Sequence, residues 1–226
     1  MPTIQDVENN LKNCQNTLQK YFDDINIDPL PDEDILKLRN EYFKWTDMKT
    51  KFIDSEKCFH LPCTAVPNKI SEYSYNYLYQ DKKDIVDKYY KKDVNTSEFI
   101  INANKRNIPT NEAEILIHNL ILKRGTVVWV NFGYNIGVEF GGRHPAIILR
   151  NNKESLFVAP LSSQIPNDMD INVFIDYVYG FEKMDRYVNV LRLCHVSIIR
   201  VDLLSKIGSV KGTILDDIIK KAKIKI

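Results

Sequence analysis

The sequence KRGTVVWVNFGYNIGVEFGGRHPAIILR, residues 123–150, decides the fold of the C-terminal half of this 226-residue chain. β-branched and aromatic residues at 126–132 are typical of a buried strand, and the apolar run at 145–150 predicts a second strand. A glycine-rich loop with one acid, one arginine and one histidine lies between them. A third run, LFVAPLSSQ at 156–164, predicts a strand that ends in two serines. Polar groups on loops at strand ends are typical of a site that a rigid sheet presents.

More short strands are predicted outward from this stretch, over residues 171–175 and 187–193. Their spacing of roughly 8 to 15 residues indicates a small antiparallel barrel. A last helix is predicted after Thr213, because the apolar residues 215, 218, 219 and 222 share one helix face. The sequence therefore predicts a β-rich domain over residues 123–226.

The first 122 residues have helical periodicity. Helices are predicted over about 7–22, 32–54 and 71–91, with a short helix that ends near Leu120. The third of these contains alternating tyrosines at 73, 75, 77 and 79, which could stack on bases but are more typical of a half-buried packing surface. The expected fold class is α+β, with a helical N-terminal domain of residues 1–122 and a boundary between 119 and 124.

Charge differs between the halves although the whole chain has a net charge of +1. Residues 1–122 contain 16 basic and 20 acidic residues, which gives a net charge of −4. Residues 123–226 contain 15 basic and 10 acidic residues, which gives a net charge of +5. A basic half favours an anionic partner such as nucleic acid, although a solvated surface explains the excess equally well.

The compartment predicted from the sequence is the cytoplasm. No apolar run approaches the roughly 18 residues of a transmembrane helix, and the N-terminus lacks the pattern of a secretory signal. The four cysteines form no disulfide framework. Cys58, His60 and Cys63 lack a fourth ligand at zinc-site spacing, so they are interpreted as ordinary side chains and no metal is expected.

The glycine-rich loop and the third strand contain residues suited to RNA cleavage. His144 titrates near neutral pH and can transfer a proton, while Arg143 keeps its charge and can hold a phosphate oxygen. Ser162 and Ser163 add hydroxyl donors. A proton-transfer group, a cation and hydroxyls can stabilise the transition state of phosphodiester cleavage, and the 2′-OH of RNA can be the nucleophile. From the residues alone, a simple turn with a solvated arginine remains the alternative.

Three motifs resemble the MazF/PemK family of toxin endoribonucleases. They are RGTVVWVNF at 124–132, GVEFGGRHPA at 137–146 and VAPLSSQ at 158–164. Their order, spacing and strand context agree with the family over residues 123–226. The resemblance implies a small SH3-like barrel of the MazF/PemK/CcdB type with a C-terminal helix, and it assigns Glu139, Arg143, Ser163 and Gln164 to RNA binding.

One departure concerns the catalytic arginine, which in this family precedes the proline. Here that position is His144, and Arg143 lies one residue earlier. Because neighbouring residues of a strand face opposite ways, Arg143 need not replace the missing group. The candidate catalytic residues are therefore His144 as a general acid, Ser162 in the position of the family's threonine, and Arg143.

The resemblance implies a sequence-specific endoribonuclease toxin of a type II toxin–antitoxin system. Such enzymes cleave single-stranded RNA without metal or cofactor to 2′,3′-cyclic phosphate and 5′-OH ends, usually as homodimers that an antitoxin blocks. Two alternatives remain open: a barrel that binds nucleic acid or protein but has lost catalysis, and a CcdB-like toxin that acts on a protein. The N-terminal helices are expected either to pack on the barrel or to recruit a partner.

Overall fold

The computed structural model describes residues 3–27, 33–56, 59–134 and 140–225. The chain divides into two compact units, Met1–Met48 and Lys49–Ile226. This division differs from the predicted boundary near residue 122. None of the described helices is long and apolar enough to cross a membrane.

Two long helices dominate the N-terminal part of the chain. They are α1, Ile4–Ile27, and α2, Glu33–Ser55. The start of α1 is fixed by a reciprocal cap: Oγ1 of Thr3 accepts from the amide of Asp6 at 3.3 Å, and the Asp6 carboxylate accepts from the amide of Thr3 at 2.7 Å. Both helices lie where the apolar periodicity predicts them.

Residues 59–122 are not helical throughout, which corrects the expectation for this half of the chain. They contain a small antiparallel sheet with the strand order β1-β3-β2. The elements in chain order are β1 (Lys69–Ile70), α3 (Glu72–Asn76), α4 (Gln80–Tyr89), β2 (Tyr90–Lys92), β3 (Phe99–Ile101) and α5 (Thr110–Leu120).

The prediction of a single helix over 71–91 is wrong. The helical conformation is interrupted between α3 and α4, and α4 ends where β2 begins at Tyr90. Tyr79 has extended dihedral angles and begins α4, while Tyr90 pairs with Ile101 of β3. Tyr75 is half-buried and stacks on Phe99, with ring centroids 4.1 Å apart. Its neighbours Tyr73, Tyr77 and Tyr79 are 69%, 74% and 82% exposed, so the tyrosine set is mostly not a packing surface.

The C-terminal part contains a six-stranded antiparallel sheet that curls into a half-barrel. The strand order is β10-β4-β5-β6-β9, and β11 also pairs with β4. The elements are β4 (Thr126–Gly133), β5 (Gly142–Asn151), β6 (Ser155–Pro160), β7 (Asn172–Ile175), β8 (Arg186–Asn189), β9 (Cys194–Ser197), β10 (Val201–Asp202), β11 (Gly208–Ser209) and α6 (Gly212–Lys225).

The strands β7 and β8 form a two-stranded antiparallel ribbon. Strand β8 is shorter than the predicted run at 187–193. It ends at Asn189 because the side chain of Asn189 accepts from the amide of Leu191 at 2.9 Å and starts a 3₁₀ turn over Val190–Arg192.

Both faces of the curled sheet are buried within the second unit. On one face, α6 and the β7–β8 ribbon pack on alternate residues of the central strands, among them Val127, Ile147 and Ala159. On the other face, the intervening residues pack in one core with residues of 61–122. We call this layer, residues 59–122, the cover segment. The core residues of the sheet on this face include Val128, Val130, Ala146, Ile148, Leu156 and Val158.

The cover segment is tied to the sheet at the end of α5. The side-chain amide of Asn151 on β5 donates to the carbonyl of Leu122 at 2.8 Å and lies 3.0 Å from Nδ1 of His118. Leu116, Ile117 and Leu122 are at most 2% exposed. The helix therefore forms part of the same hydrophobic core as the sheet.

A substitution in α5 tests this shared core. Leu116→Ala should lower the free energy of unfolding by about 2–5 kcal/mol, because a buried leucine leaves a cavity. Leu204→Ala is the control, since Leu204 is 74% exposed and should cost at most about 0.5 kcal/mol. Chemical denaturation of the full chain measures both. Equal midpoints for the two variants would contradict the described packing of α5.

Candidate active site

The pairing of β5 with β6 leads toward His144 on one strand and toward Ser162, just beyond the end of β6, on the other. The register of β5 and β6 pairs Ala146 with Pro160, and the amide of Leu161 donates to the carbonyl of Pro145 at 2.8 Å. Continuing this register by one residue places His144 opposite Ser162. Residues opposite each other in an antiparallel pair lie on the same face with Cβ atoms about 4.5–5.5 Å apart. The fold therefore brings together two residues that are 18 positions apart in the sequence.

The row continues across the ribbon to Tyr187. Ser162 and Tyr187 form an antiparallel bridge in which the amide of each donates to the carbonyl of the other, at 3.0 and 2.8 Å. Strand β8 thus extends the sheet at the point where β6 ends. His144, Ser162 and Tyr187 form a continuous polar row across three strands.

This row borders a groove of about 370 Å³. Most of its walls come from the end of β6, the loop that follows it, and β8. The lining residues are Phe140, Pro160, Ser162, Gln164, Ile165, Pro166, Asn167, Asp168, Ile171, Asn172, Tyr187, Asn189 and Arg192. Amide, hydroxyl and aromatic side chains of this kind suit the hydrogen bonding and stacking that single-stranded RNA requires.

His144 is half-buried beside the groove. Its ring lies 4.6 Å from the ring of Phe140, which is a lining residue. Burial lowers the pKa of His144 below its ordinary value of 6.5, although a hydrogen bond with the backbone of Gly141 opposes this shift. The imidazole is therefore mainly neutral at pH 7, which is the form that accepts a proton.

Gly142 has a left-handed backbone, with φ of +81°, immediately before Arg143. A Cβ atom at this position would lie 3.5 Å from Nε2 of His144. That distance is an ordinary van der Waals contact, so glycine is needed here for the left-handed turn into β5 and not for space.

Arg143 lies on the other face of the sheet, as strand alternation predicts. Its Nη2 donates to Oδ2 of Asp202 at 2.8 Å and to Oγ of Ser205 at 2.6 Å, and its guanidinium carbon lies 4.4 Å from the centre of the Trp129 ring. Burial raises the pKa of Asp202, but hydrogen bonds from Arg143, Ser205 and backbone amides outweigh it and lower the pKa. Arg143 is thus held in a local ion pair, and its roles in catalysis and RNA binding stay predictions.

The other predicted RNA-binding residues are placed unequally. Gln164 lines the groove, and its backbone N–H donates to Oγ of Ser162 at 3.1 Å. Ser163 is exposed next to the groove but is not a lining residue. Glu139 lies outside the described residues, as does Cys58.

Arg192 is a groove residue that the sequence did not reveal. It ends the 3₁₀ turn after β8, and its guanidinium carbon lies 5.5 Å from the centre of the Phe140 ring. A lone arginine in the run VLRLC carries no motif. The position of Arg192 depends on the 3₁₀ turn that Asn189 starts. An asparagine at the end of a predicted strand is the one sequence signal that could have indicated this turn.

A larger groove of about 1120 Å³ lies along α5 and the edge of the sheet, and it contains none of the predicted site residues. Its charges are mixed, with Lys123 and Lys153 beside Glu114 and Glu154. His118 lines it, and burial lowers the pKa of this histidine. We regard the smaller groove as the candidate site because Ser162 and Arg192 line it and the ring of His144 packs on Phe140, another lining residue.

Within the described residues, no cluster of three or more histidine, cysteine, aspartate or glutamate side chains could hold a metal ion. His60 instead contacts the Glu114 carboxylate at 3.2 Å.

Comparison with protein families decides the class of the C-terminal domain. Residues 123–226 match the family of PemK-like, MazF-like toxins of type II toxin–antitoxin systems. This part of the chain is a PemK/MazF toxin domain. The N-terminal extension is matched by no family, so the cover segment lies outside the PemK/MazF domain although it shares its core.

Solved MazF structures are also similar to this chain. MazF from Deinococcus radiodurans (Form-I) is 20% identical, with a TM-score of 0.37 over 46% of this chain and 94% of its own. The MazE-MazF structure (Form-II) from the same organism is 19% identical, with a TM-score of 0.36 over 46% and 93%. Mycobacterium tuberculosis toxin MazF-mt6 is 13% identical, with a TM-score of 0.34 over 45% and 94%. No curated protein matches the chain.

Proposed function

We propose that this protein is an endoribonuclease toxin that cleaves single-stranded RNA sequence-specifically and without metal. The proposal is supported by the match of residues 123–226 to the PemK/MazF family, together with a polar groove that Ser162 lines and beside which His144 packs on Phe140. Members of this family are generally ribonucleases. The groove offers a hydroxyl, amides and an arginine, and His144 lies beside it as a proton-transfer group. Cleavage by the RNA's own 2′-OH requires groups of these kinds.

In the proposed reaction the 2′-oxygen attacks the adjacent phosphorus and the bond from phosphorus to the 5′-oxygen breaks. His144 was predicted from the sequence as a general acid, but because burial lowers its pKa we assign it the role of base: it accepts the proton of the 2′-OH, and the leaving 5′-oxygen takes a proton from water. The products are a 2′,3′-cyclic phosphate and a 5′-OH. The hydroxyl of Ser162 donates to a phosphate oxygen as negative charge develops in the transition state, where such donors contribute most.

The rest of the proposal concerns the setting of the domain. The half-barrel sheet and its ribbon together correspond to an SH3-like barrel, to which the chain adds a largely helical N-terminal region. The protein acts in the cytoplasm, and a cognate antitoxin neutralises it by blocking the groove. If the active form is a homodimer, the copies associate through strand edges or loops, because both faces of the sheet are already covered.

The proposal is tested with the purified full chain, mixed single-stranded RNA and EDTA. We expect discrete fragments whose 5′ ends accept phosphate from a polynucleotide kinase. A matched oligonucleotide with a 2′-deoxy residue at the scissile position should remain intact. Binding of RNA without cleavage would indicate a catalytically impaired binding module. Absence of both binding and cleavage would favour a toxin that acts on a protein.

The pH dependence tests the role of His144. Because burial lowers its pKa, the imidazole stays neutral at pH 7 and becomes protonated only as the pH falls below about 6.5. A proton acceptor is lost on protonation, so kcat/KM should fall on the acidic side and level off above neutrality. A rate that rises on acidification would make His144 the general acid, and a flat profile would remove it from proton transfer. His118→Gln is the control and should keep the profile, because His118 lines the other groove.

A further inference from the structure

We infer that Asn172 and Asn189 read one base of the RNA and so set the sequence at which the chain is cut. The inference rests on the proposed function and adds to it the residues that select the substrate. Both asparagines line the smaller groove, and neither belongs to the three sequence motifs. The ligand of this pair is a single unpaired nucleobase whose edge carries a hydrogen-bond donor beside an acceptor.

The two asparagines face each other across the ribbon. Asn172 of β7 and Asn189 of β8 are direct partners in the antiparallel register. The backbone of Asn172 bonds away from β8, because its N–H donates to the carbonyl of Met169 at 3.3 Å and its carbonyl accepts from Lys221 of α6 at 2.8 Å. Direct partners have their side chains on the same face, with Cβ atoms about 4.5–5.5 Å apart. The two carboxamides are therefore neighbours.

One half of each carboxamide is committed to the protein. Nδ2 of Asn172 donates to the carbonyl of Asp168 at 2.6 Å. Oδ1 of Asn189 accepts from the backbone N–H of Leu191 at 2.9 Å. These bonds fix the identity of the other half, since rotating either amide would break them. The pair thus presents a fixed acceptor, Oδ1 of Asn172, and a fixed donor, Nδ2 of Asn189.

These two remaining atoms are available to a ligand. Neither has a hydrogen-bond partner among the residues that the structure describes. Asn172 is only 5% exposed, yet no fully buried side-chain nitrogen or oxygen of the described chain lacks a partner, so its Oδ1 reaches open space. The carboxamide lies beside Asp168 and Asn189, which both line the groove. An acceptor at a buried groove floor disfavours any base that leaves it unpaired.

Tyr187 supplies a surface on which the base can stack. It is half-buried, lines the same groove, and lies two residues before Asn189 on β8, so both side chains are on one face. Its ring packs near Phe174, with centroids 5.6 Å apart. Two residues of a strand span about 6.5–7 Å, which lets the edge of a base stacked on Tyr187 reach the asparagine pair. Because Tyr187 bridges to Ser162, this base belongs to a nucleotide next to the cleaved bond.

The experiment uses the full-length protein and its Asn189→Ser and Asn189→Asp variants. Serine and aspartate can still accept from the N–H of Leu191 and keep the turn, but serine removes the donor and aspartate replaces it with an acceptor. Asn167→Asp is the control, because Asn167 is an exposed residue of the same groove and the change adds the same charge outside the pair.

Each protein cleaves a single-stranded RNA pool of random sequence in EDTA. Sequencing of the new 5′ ends gives the base preference at each position around the cut. Binding to uncleavable 2′-O-methyl hexanucleotides of each of the four bases is measured in parallel by fluorescence anisotropy. Circular dichroism checks the fold, and Asn189→Asp decides alone if the serine variant does not fold.

We expect the wild type to prefer one base by about 5- to 150-fold at one position beside the cut, the usual discrimination of a base read by paired hydrogen bonds. Asn189→Ser should reduce this preference to less than about threefold. Asn189→Asp should favour guanine there, because two acceptors then face the edge and guanine alone offers two adjacent donors. Asn167→Asp should slow cleavage of all sequences alike and keep the preference.

The outcomes separate this inference from the proposed function. If the wild type cleaves RNA and the two Asn189 variants keep its base preference at every position, the inference fails while the proposed cleavage stands. Cleavage by the wild type without any base preference has the same meaning. If the wild type binds the hexanucleotides without cleaving RNA, and the Asn189 variants lose its discrimination among the bases, base reading is supported and the proposed catalysis fails. If the wild type neither binds nor cleaves RNA, both fail.

Discussion

Replacing His144 with alanine should lower kcat/KM for RNA cleavage by about 10²- to 10⁴-fold, the usual contribution of a general acid–base group. The fold should survive, because His144 is only half-buried near the glycine-rich end of β5. Ser162→Ala should cost about 10²- to 10³-fold, since it removes a donor to the developing charge. Single-turnover cleavage measures both effects, and circular dichroism checks the fold.

Ser209→Ala is the matched control for this pair. Ser209 is an exposed serine of β11 that does not line the groove, so its loss should change the rate by less than about threefold. A His144→Ala protein with the rate of the wild type would refute the assignment. In that case Arg143 would become the leading catalytic candidate despite its ion pair with Asp202.

Two N-terminal truncations should differ in whether the remaining fragment folds. A fragment of residues 49–226 retains a whole compact unit and should fold. A fragment of residues 123–226 loses the cover segment and uncovers one buried face of the sheet. Each buried valine, leucine or isoleucine is worth about 1.5–3 kcal/mol, so the loss matches the roughly 5–15 kcal/mol that holds a domain together.

We therefore expect the shorter fragment to aggregate or unfold, although it contains every matched residue of the PemK/MazF domain. Light scattering, size-exclusion chromatography and thermal denaturation compare the two fragments with the full chain. A monodisperse, cooperatively folded fragment of residues 123–226 with unchanged RNA cleavage would show that the cover segment is dispensable.

Strands and strand faces were predictable from the sequence. The uninterrupted run AIIL at 146–149 predicts a strand buried on both sides, and β5 has this environment. Strand alternation also predicts that Arg143 and His144 face apart. These inferences depend only on the period of two along a strand, which tertiary contacts do not change.

Features that depend on long-range pairing were not predictable. Tyr90 leaves α4 because β3 offers it a partner, so helical composition over 71–91 was misleading. Arg192 reaches the groove only because Ser162 pairs with Tyr187 and places β8 beside the end of β6. The change in periodicity near residue 122 coincides with the start of the family match at residue 123, but it did not reveal that residues on both sides of it share one core.

The cover segment also limits which proteins can form mixed assemblies with this one. A sheet with an open apolar face can exchange partners among separately encoded copies of the same domain. Here the chain supplies its own second layer, and residues such as Val128 and Ile148 are fully buried beneath it. A second PemK/MazF domain therefore has no open apolar sheet face on this molecule to pack against.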